Sequence, residues 1–294
     1  VELVISEIIA LARRLGDRNT QMHHGVWRKS AIGSHEVRGR TLGIVGYGNI
    51  GAQISVLAEA LGLSVMYYDV ADKLPMGNAH RCDSLEELLQ SVDVVTVHVD
   101  GRADNTLLFG EQEFSMMRPR SLFLNLSRGH VVDVAALADN LRTGHLAGAA
   151  VDVYPSEPRS GDEPFVSELQ SLDNVILTPH VGGSTQEAQI DIGRYVAGKL
   201  IDYSERASTS MSVNLPDITT GATPGARIGH LHLNMPGIMA DLNRLVADHG
   251  GNVTYQALAT RGELGYTVLD IDETDRELLV DVTRLEGTIR ARVL

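Results

Sequence analysis

The chain has 294 residues, 25 Lys and Arg against 38 Asp and Glu, a formal charge of −13 and 43% hydrophobic residues. That hydrophobic share supplies cores for two or three domains and excludes a disordered chain. The acidic balance argues against nucleic acid as a partner, since phosphate binding needs clustered Lys and Arg, while a local basic pocket for a small anion stays compatible with it. One cysteine, Cys82, cannot form an internal disulfide, which fits a reducing cytoplasm. No apolar run reaches the length of a membrane span and no signal peptide is visible. No metal site is expected.

At the start, Val4, Ile8, Leu11, Ala12 and Leu15 fall on one helical face, with Gly16 as a stop. The chain opens inside that helix without an initiator Met, so the expectation is a segment whose start is missing. The apolar stripe must be buried, on its own domain or against another subunit. Trp27 lies in the polar loop His24–Arg28. Its indole is expected to fold onto its own domain, with anchoring in a neighbouring subunit as the alternative.

From Thr41 to about Thr178, short β-rich runs alternate with helical patterns. The expected strands are Thr41–Val45, Ser64–Asp69, Asp93–Val99, Ser121–Leu126, Ala147–Val153 and Asn174–Leu177. Between them Asn49–Leu61, Ser84–Gln90, Glu111–Met117 and Val134–Thr143 read as helices, the first with Ile50, Ile54, Leu57 and Leu61 as its apolar face. Near-continuous apolar strands joined by helices mean an α/β fold, a doubly wound parallel sheet of Rossmann type.

The turn Gly46-Tyr47-Gly48-Asn49-Ile50-Gly51 joins the first strand to the first helix. Its glycines permit a tight turn and a close backbone approach to a pyrophosphate, which then meets free N–H groups at the positive end of a helix. The next strand ends at Asp69, 18 residues after Gly51, where a carboxylate suits ribose hydroxyls and repels a 2′-phosphate. The reading is therefore NAD rather than NADP. His98, at the end of its strand, faces the same cleft or is a packed histidine satisfied by backbone.

Three polar residues follow later strands: Arg128, Glu157 and His180. Their loops share the edge of the glycine turn. Oxidising a 2-hydroxy acid needs a base for the hydroxyl proton, and histidine titrates in the right range. A carboxylate beside it orients the imidazole, and a guanidinium holds a substrate carboxylate bidentately.

Beyond these comes a long helix from about Thr185 to Ser204, and then Ser208–Pro224, rich in Ser, Thr, Gly and Pro. The last segment reads strand 227–233, helix 237–249, strand 252–260, strand 264–271, helix 274–284 and strand 288–293. That βαββαβ order makes a small separate domain with helices on one antiparallel sheet.

With Val45–Gly51, Ser127-Arg128-Gly129, Thr178-Pro179-His180 and Gly287–Arg292 in place, the chain resembles the D-isomer-specific 2-hydroxyacid dehydrogenases that carry an ACT domain. The resemblance divides it into an NAD-binding domain at 1–183 and an ACT-like domain at 226–294. Residues 184–225 are then a returning segment of the substrate domain and a linker. It also implies a preceding segment on the order of a hundred residues, about one small domain, that builds most of the substrate domain. In such enzymes His180 is the general acid/base, Glu157 its partner and Arg128 the substrate-binding arginine. Gly48 and Gly51 line the pyrophosphate, Asp69 binds the ribose and Asp152 lies near the nicotinamide.

The implied reaction is NAD-linked oxidation of a phosphorylated 2-hydroxy acid, 3-phosphoglycerate, to 3-phosphohydroxypyruvate, the opening step of serine synthesis. The implied assembly is a homo-oligomer with serine as effector, bound through His232, Asn234 and Asn252. A dehydrogenase of another 2-hydroxy acid and a non-catalytic NAD-sensing relative are the alternatives. Three positions depart from the family's pattern: Asp100 where proline is usual, Arg120 where a turn glycine is common, and Met235 where the ligand loop often has arginine.

Overall fold

The computed structural model describes residues 1–223, 225–272 and 276–294. Pro224, where the expected linker ends, and positions 274–275, where the expected helix 274–284 begins, lie outside the described residues. The chain divides into two units, Val1–Thr185 and Gln186–Leu294.

The first unit is built on seven strands: β1 (Thr41–Val45), β2 (Ser64–Tyr68), β3 (His80–Arg81), β4 (Val94–Val97), β5 (Ser121–Asn125), β6 (Leu146–Val151) and β7 (Val175–Leu177). They are all parallel, in the order β3-β2-β1-β4-β5-β6-β7. The six expected strands form within one or two residues of their expected ends. The seventh, β3, is two exposed residues in a polar stretch and carries no apolar run by which to read it.

The unit has six α-helices, of which all but α2 pack on the sheet: α1 (Glu2–Arg13), α2 (Leu15–His23), α3 (Asn49–Ala60), α4 (Leu85–Ser91), α5 (Glu111–Met116) and α6 (Val134–Arg142). Side chains alternate between the faces, as strand geometry requires. Leu42, Ile44, Val94, Leu124 and Ala150 pack on the side with Val4, Ile8, Ile54 and Ala58 of α1 and α3. Val45, Val95, Val97 and Phe123 pack on the side with Leu88, Phe114 and Leu137 of α4, α5 and α6. Ser84 caps α4 by accepting from Glu87 N at 3.1 Å, and Asp133 caps α6 by accepting from Ala135 N and Ala136 N.

Three expectations are corrected here. The first helix does not run to Gly16. It breaks at Arg14, which takes a left-handed backbone with φ 52°, and Gly16 lies inside α2. The stripe ends at Ala12, so Leu15 is exposed. The Arg14 guanidinium grips Asp17 at 2.5 Å across the break. The inward face of α3 is Gly51, Ile54, Ser55 and Ala58, while Ile50, Leu57 and Leu61 are exposed. The reason is the glycine turn: Gly51 faces Gly46 O, with no room there for a Cβ, so the helix lies on its small residues. Trp27 does not fold onto its own domain; it is 78% exposed.

The second unit begins with α7 (Gln186–Arg206). Then follow β8 (Ala226–Leu233), α8 (Ile238–Asp248), β9 (Val253–Arg261), β10 (Leu264–Ile271), α9 (Arg276–Arg284) and β11 (Thr288–Val293). The strands pair antiparallel in the order β11-β8-β10-β9. One face of this sheet holds Ile228, Leu269 and Ile271 against Leu242, Val246, Leu278 and Val282 of the two helices.

The other face is covered by the connecting segment, with Ala207 and Ile218 packed on Tyr266 and Val268. Tyr266 OH donates to Ala207 O at 3.0 Å. Buried Arg227 donates to both Asp270 oxygens at 2.6 Å and, through Nη1, to Arg206 O and Gly221 O. The Ser/Thr/Gly/Pro composition of this stretch reflects many hydroxyl-to-backbone bonds; Thr209 Oγ1 to Pro216 O at 2.6 Å is one. Among the described residues, no helix is long and apolar enough to cross a membrane.

Candidate active site

The sheet order reverses between β1 and β4, and at such a switch point a crevice opens at the carboxyl ends of the strands. The glycine turn lies there. Gly46 has φ 94°, and a Cβ on it would sit 2.6 Å from His98 O, so only glycine fits between β1 and β4. Gly46 and Gly51 are thus explained by the protein itself. Gly48 is not: a Cβ there would meet nothing within 4 Å. Open space before an uncapped helix start is what a pyrophosphate needs, and Gly48, Asn49 and Ile50 offer their N–H groups to it without a capping side chain. Tyr47, between the glycines, turns inward, stacks on Tyr67 at 3.8 Å and bonds Ser55 Oγ at 2.7 Å.

Asp69 follows β2 beside this turn. Its Oδ2 accepts from Tyr47 N at 2.7 Å and its Oδ1 from Ala71 N at 2.8 Å. The carboxylate therefore pins the glycine turn, and each oxygen keeps a lone pair for a ribose hydroxyl. His98, at the end of β4, has its Nε2 on Thr96 Oγ1 at 2.9 Å, and burial lowers its pKa to about 3. Its backbone carbonyl walls the glycine turn and its ring stays neutral.

Arg128, Glu157 and His180 follow β5, β6 and β7 at the same edge. Gly129 packs so closely on the Tyr154–Pro155 peptide that no Cβ fits, which draws the Arg128 loop onto the Glu157 loop. Arg128 is exposed. Its Nη1 donates to Ser127 O at 2.7 Å, and its charge acts on both Asp100 and Glu157. His180 takes a left-handed backbone with φ 54°, rare for a residue with a side chain. Its Nδ1–H donates to Glu157 Oε2 at 2.9 Å and approaches Oε1 at 3.1 Å. Glu157 also accepts from Tyr154 N at 3.1 Å. Burial pushes Glu157 up, but the bonds from His180 and Tyr154 N and the charges of His180 and Arg128 outweigh it, so its pKa falls below the ordinary value.

Asp152 is buried behind this pair. Its Oδ1 accepts from Thr178 Oγ1 at 2.6 Å and Val181 N at 2.8 Å, and its Oδ2 from Gly182 N at 2.8 Å. It thereby fixes the loop on which His180 stands. A cavity of about 390 Å³ lined by Glu157, Phe165, Thr178 and His180 opens beside the pair. A larger one, about 730 Å³, lies at the opposite edge, by Leu122, Ala147 and Val175, far from this chemistry. Asp100, in place of the usual proline, ties its loop by accepting from Arg102 Nε at 2.8 Å and Asn105 Nδ2 at 3.0 Å.

The effector candidates lie in the second unit. His232 is buried, with Nδ1 on Leu233 O at 2.8 Å and Nε2 on Thr267 Oγ1 at 3.0 Å, and Gly265 lies under its ring. Asn234 and Asn252 are exposed. Asn234 follows β8 next to the start of β10, whereas Asn252 precedes β9 next to the end of β10. One copy of the chain does not bring them together.

One residue near the Asp152 and His180 loops was not read from the sequence. Glu7, on α1, is buried within electrostatic reach of Asp152. Its signal is a carboxylate inside an apolar stripe, between Val4 and Leu11.

Comparison with known proteins agrees with this layout. Residues 5–182 match the model for the D-isomer specific 2-hydroxyacid dehydrogenase NAD binding domain, and residues 228–290 match an AHAS small subunit-like ACT domain. A D-3-phosphoglycerate dehydrogenase from Escherichia coli (strain K12) is 48% identical over 296 residues, covering 100% of this chain and 72% of the relative. One from Dictyostelium discoideum is 46% identical, with the same coverage of 100% and 72%. A solved D-2-hydroxyisocaproate dehydrogenase superposes with a TM-score of 0.65 at 28% identity, over 71% of this chain and 66% of that one.

Proposed function

The chain belongs to the D-isomer-specific 2-hydroxyacid dehydrogenases, and from that premise we propose that it oxidises 3-phosphoglycerate to 3-phosphohydroxypyruvate with NAD, opening serine biosynthesis. The observation that carries the chemistry is the Glu157–His180 pair, 2.9 Å apart, beside exposed Arg128 at the edge where the glycine turn opens. Identity of 48% along the whole chain to enzymes of that name carries the substrate.

Each residue has one task. Arg128 holds the substrate carboxylate with its guanidinium, presenting the 2-hydroxyl to His180. Glu157 keeps the proton on Nδ1, so Nε2 is the atom that takes the hydroxyl proton. As the imidazole becomes charged, Glu157 stabilises the cation. NAD supplies the hydride acceptor when bound. Asp69 favours it over a 2′-phosphorylated cofactor by charge repulsion.

The second unit serves as a serine-binding regulatory domain in a homo-oligomer. Asn234 and Asn252 offer neutral donors and acceptors to an amino acid, and their separation along β10 calls for one residue from each of two copies. Trp27 supports an assembly as well, since it is exposed together with Met22, Val26 and Ile32 of the same short stretch, and a group of exposed apolar side chains fits a contact surface.

Two measurements test this. NADH fluorescence reports cofactor binding, and the rise of NADH absorbance with 3-phosphoglycerate against other 2-hydroxy acids reports the substrate. No NADH binding would remove the cofactor reading; faster turnover of a non-phosphorylated acid would replace the substrate; binding without turnover of any acid would favour an NAD-sensing role. Serine should inhibit, and Asn252→Ala should relieve it; indifference of the wild type to serine would end the regulatory assignment.

A further inference from the structure

Glu7 stands in the middle of the buried face of α1, three residues after Val4 and directly before Ile8. The residue is 3% exposed, and neither carboxyl oxygen has a hydrogen-bond partner among the described residues. An ionised carboxylate left in that state is strongly unfavourable, so something other than helix packing accounts for it. The path of α1 shows what. Leu11 meets Gly148 in the middle of β6, where a Cβ would lie 3.2 Å from its Cδ2. One turn earlier, Glu7 comes within electrostatic reach of the carboxyl end of that strand, where Asp152 stands.

The two carboxyl groups have unequal surroundings. Asp152 collects three donors, from Thr178 Oγ1, Val181 N and Gly182 N. Glu7 collects none. Two buried carboxyls that sense each other do not both ionise, and the one supplied with donors keeps the charge. Burial and then the Asp152 charge raise Glu7 to about 7. Of the charged groups on the elements packed against α1, which are α2, α3, β5, β7 and β6 with its following residue Asp152, Asp152 is the one that acts on it. The neutral neighbour is Tyr154, whose phenol donates to Val151 O and Thr178 O and is raised by burial, then by Asp152, Glu157 and Glu7.

We propose that Glu7 is a positioning residue of the hydride-transfer site: it holds the proton that leaves Asp152 the sole anion behind the His180 loop, and losing that proton loosens the loop. The proposal rests on the reading of His180 and Asp152 given above. With Glu7 neutral, Asp152 keeps its bonds to Val181 N and Gly182 N, and the strained left-handed backbone of His180 stays where Glu157 can meet it. A second negative charge would drive Asp152 off those two amides.

The test needs no turnover. In the wild-type protein, the amide proton shifts of Val181 and Gly182 should move together with a midpoint near pH 7, and in Glu7→Gln they should not. Shifts that are pH-independent in the wild type, or that persist in Glu7→Gln, would overturn the proposal. Denaturant unfolding gives a second reading. Relative to Glu7→Gln, the wild type should lose roughly two orders of magnitude in its folding equilibrium as pH rises from 4.5 to 7, because the folded form binds this proton more tightly. A flat difference would refute the protonated state. NADH affinity should weaken severalfold above that midpoint in the wild type and stay level in Glu7→Gln; parallel pH profiles would reduce Glu7 to a packing role. Failure of both proteins to bind NADH would instead remove the site reading on which the proposal stands, even with the amide shifts intact.

Discussion

Both units place histidine beside a β-strand, with opposite results. In the second unit His230 and His232 alternate with apolar residues along β8, and their rings lie 4.8 Å apart, tilted by 35°, on one face of the sheet. His232 has both ring nitrogens engaged, and His230 has Nε2 on Thr288 Oγ1 at 2.8 Å. In the first unit His180 stands past the end of β7, with a left-handed backbone, half exposed, with Nδ1 on Glu157. Strand periodicity makes a histidine part of a core, whereas a loop at the carboxyl edge of a parallel sheet leaves His180 half exposed with its bond to Glu157 on one nitrogen. It also bears on the proposed effector residues: His232 is enclosed at the β8 end, while Asn234 and Asn252 are exposed.

The sharpest way to break this comparison is to remove each histidine. His180→Ala should lower kcat by about two to four orders of magnitude and leave NADH binding nearly unchanged, as expected of an acid/base group. His232→Ala should leave kcat near wild type in the absence of effector. Equal losses of kcat would show that exposure at the strand end does not separate the two roles.

The next effect belongs to the second unit alone. Arg227 and Asp270 are buried and bidentate, and they hold the 206–221 segment through Arg206 O and Gly221 O. Asp270→Ala leaves that guanidinium unpaired and should destabilise the unit by about 3–5 kcal/mol in denaturant unfolding. A change below 1 kcal/mol would mean that water already reaches the pair.

Acid separates the units by a comparable amount. Burial, with repulsion from His232, pushes His230 down to about 4 from 6.5. The unfolded chain takes up that proton first, so its contribution is complete above pH 6.5 and is lost as pH falls toward 4, about 3 kcal/mol in all. In the first unit His98 acts with the same sign, but Glu7 acts with the opposite one, since its folded form holds the proton up to about pH 7. Stability between pH 4.5 and 6.5 should therefore fall with acid in the second unit and change little in the first. Domain-resolved melting by hydrogen exchange measures this, and equal acid slopes in the two units would contradict it.

The smallest effect concerns a backbone departure. Arg120 takes φ 67° at the turn into β5, where it donates its N–H to His145 O at 2.6 Å. Arg120→Gly should stabilise the first unit by up to about 1 kcal/mol in thermal unfolding, because glycine enters the left-handed region without strain. A loss of stability would show that the arginine side chain contributes more than its backbone costs.

Local sequence determined a great deal here. Apolar runs with period two or no period, bounded by turns, located β1, β2 and β4 to β7, because both faces of a parallel sheet are buried. Gly46, Gly48 and Gly51 announced a phosphate turn because their spacing falls between a strand and a helix: Gly46 takes a left-handed backbone, Gly51 leaves no room for a Cβ and Gly48 keeps the helix start open. The placement of Arg128, Glu157 and His180 at one edge was legible because each follows a strand of the parallel sheet.

Other features depend on distant partners and were decided only by the tertiary structure. The face of α3 is set by Gly51 against Gly46 O, not by where its larger apolar residues lie. The break at Arg14 comes where a distant residue, His35, bonds Ala12 O at the helix end, and the 207–218 segment is ordered by Tyr266 and Arg227. Glu7 shows the limit most clearly. In sequence it is one acid in a helical stripe; packing puts it within reach of Asp152, and the balance of donors between two carboxyls decides which one keeps the proton.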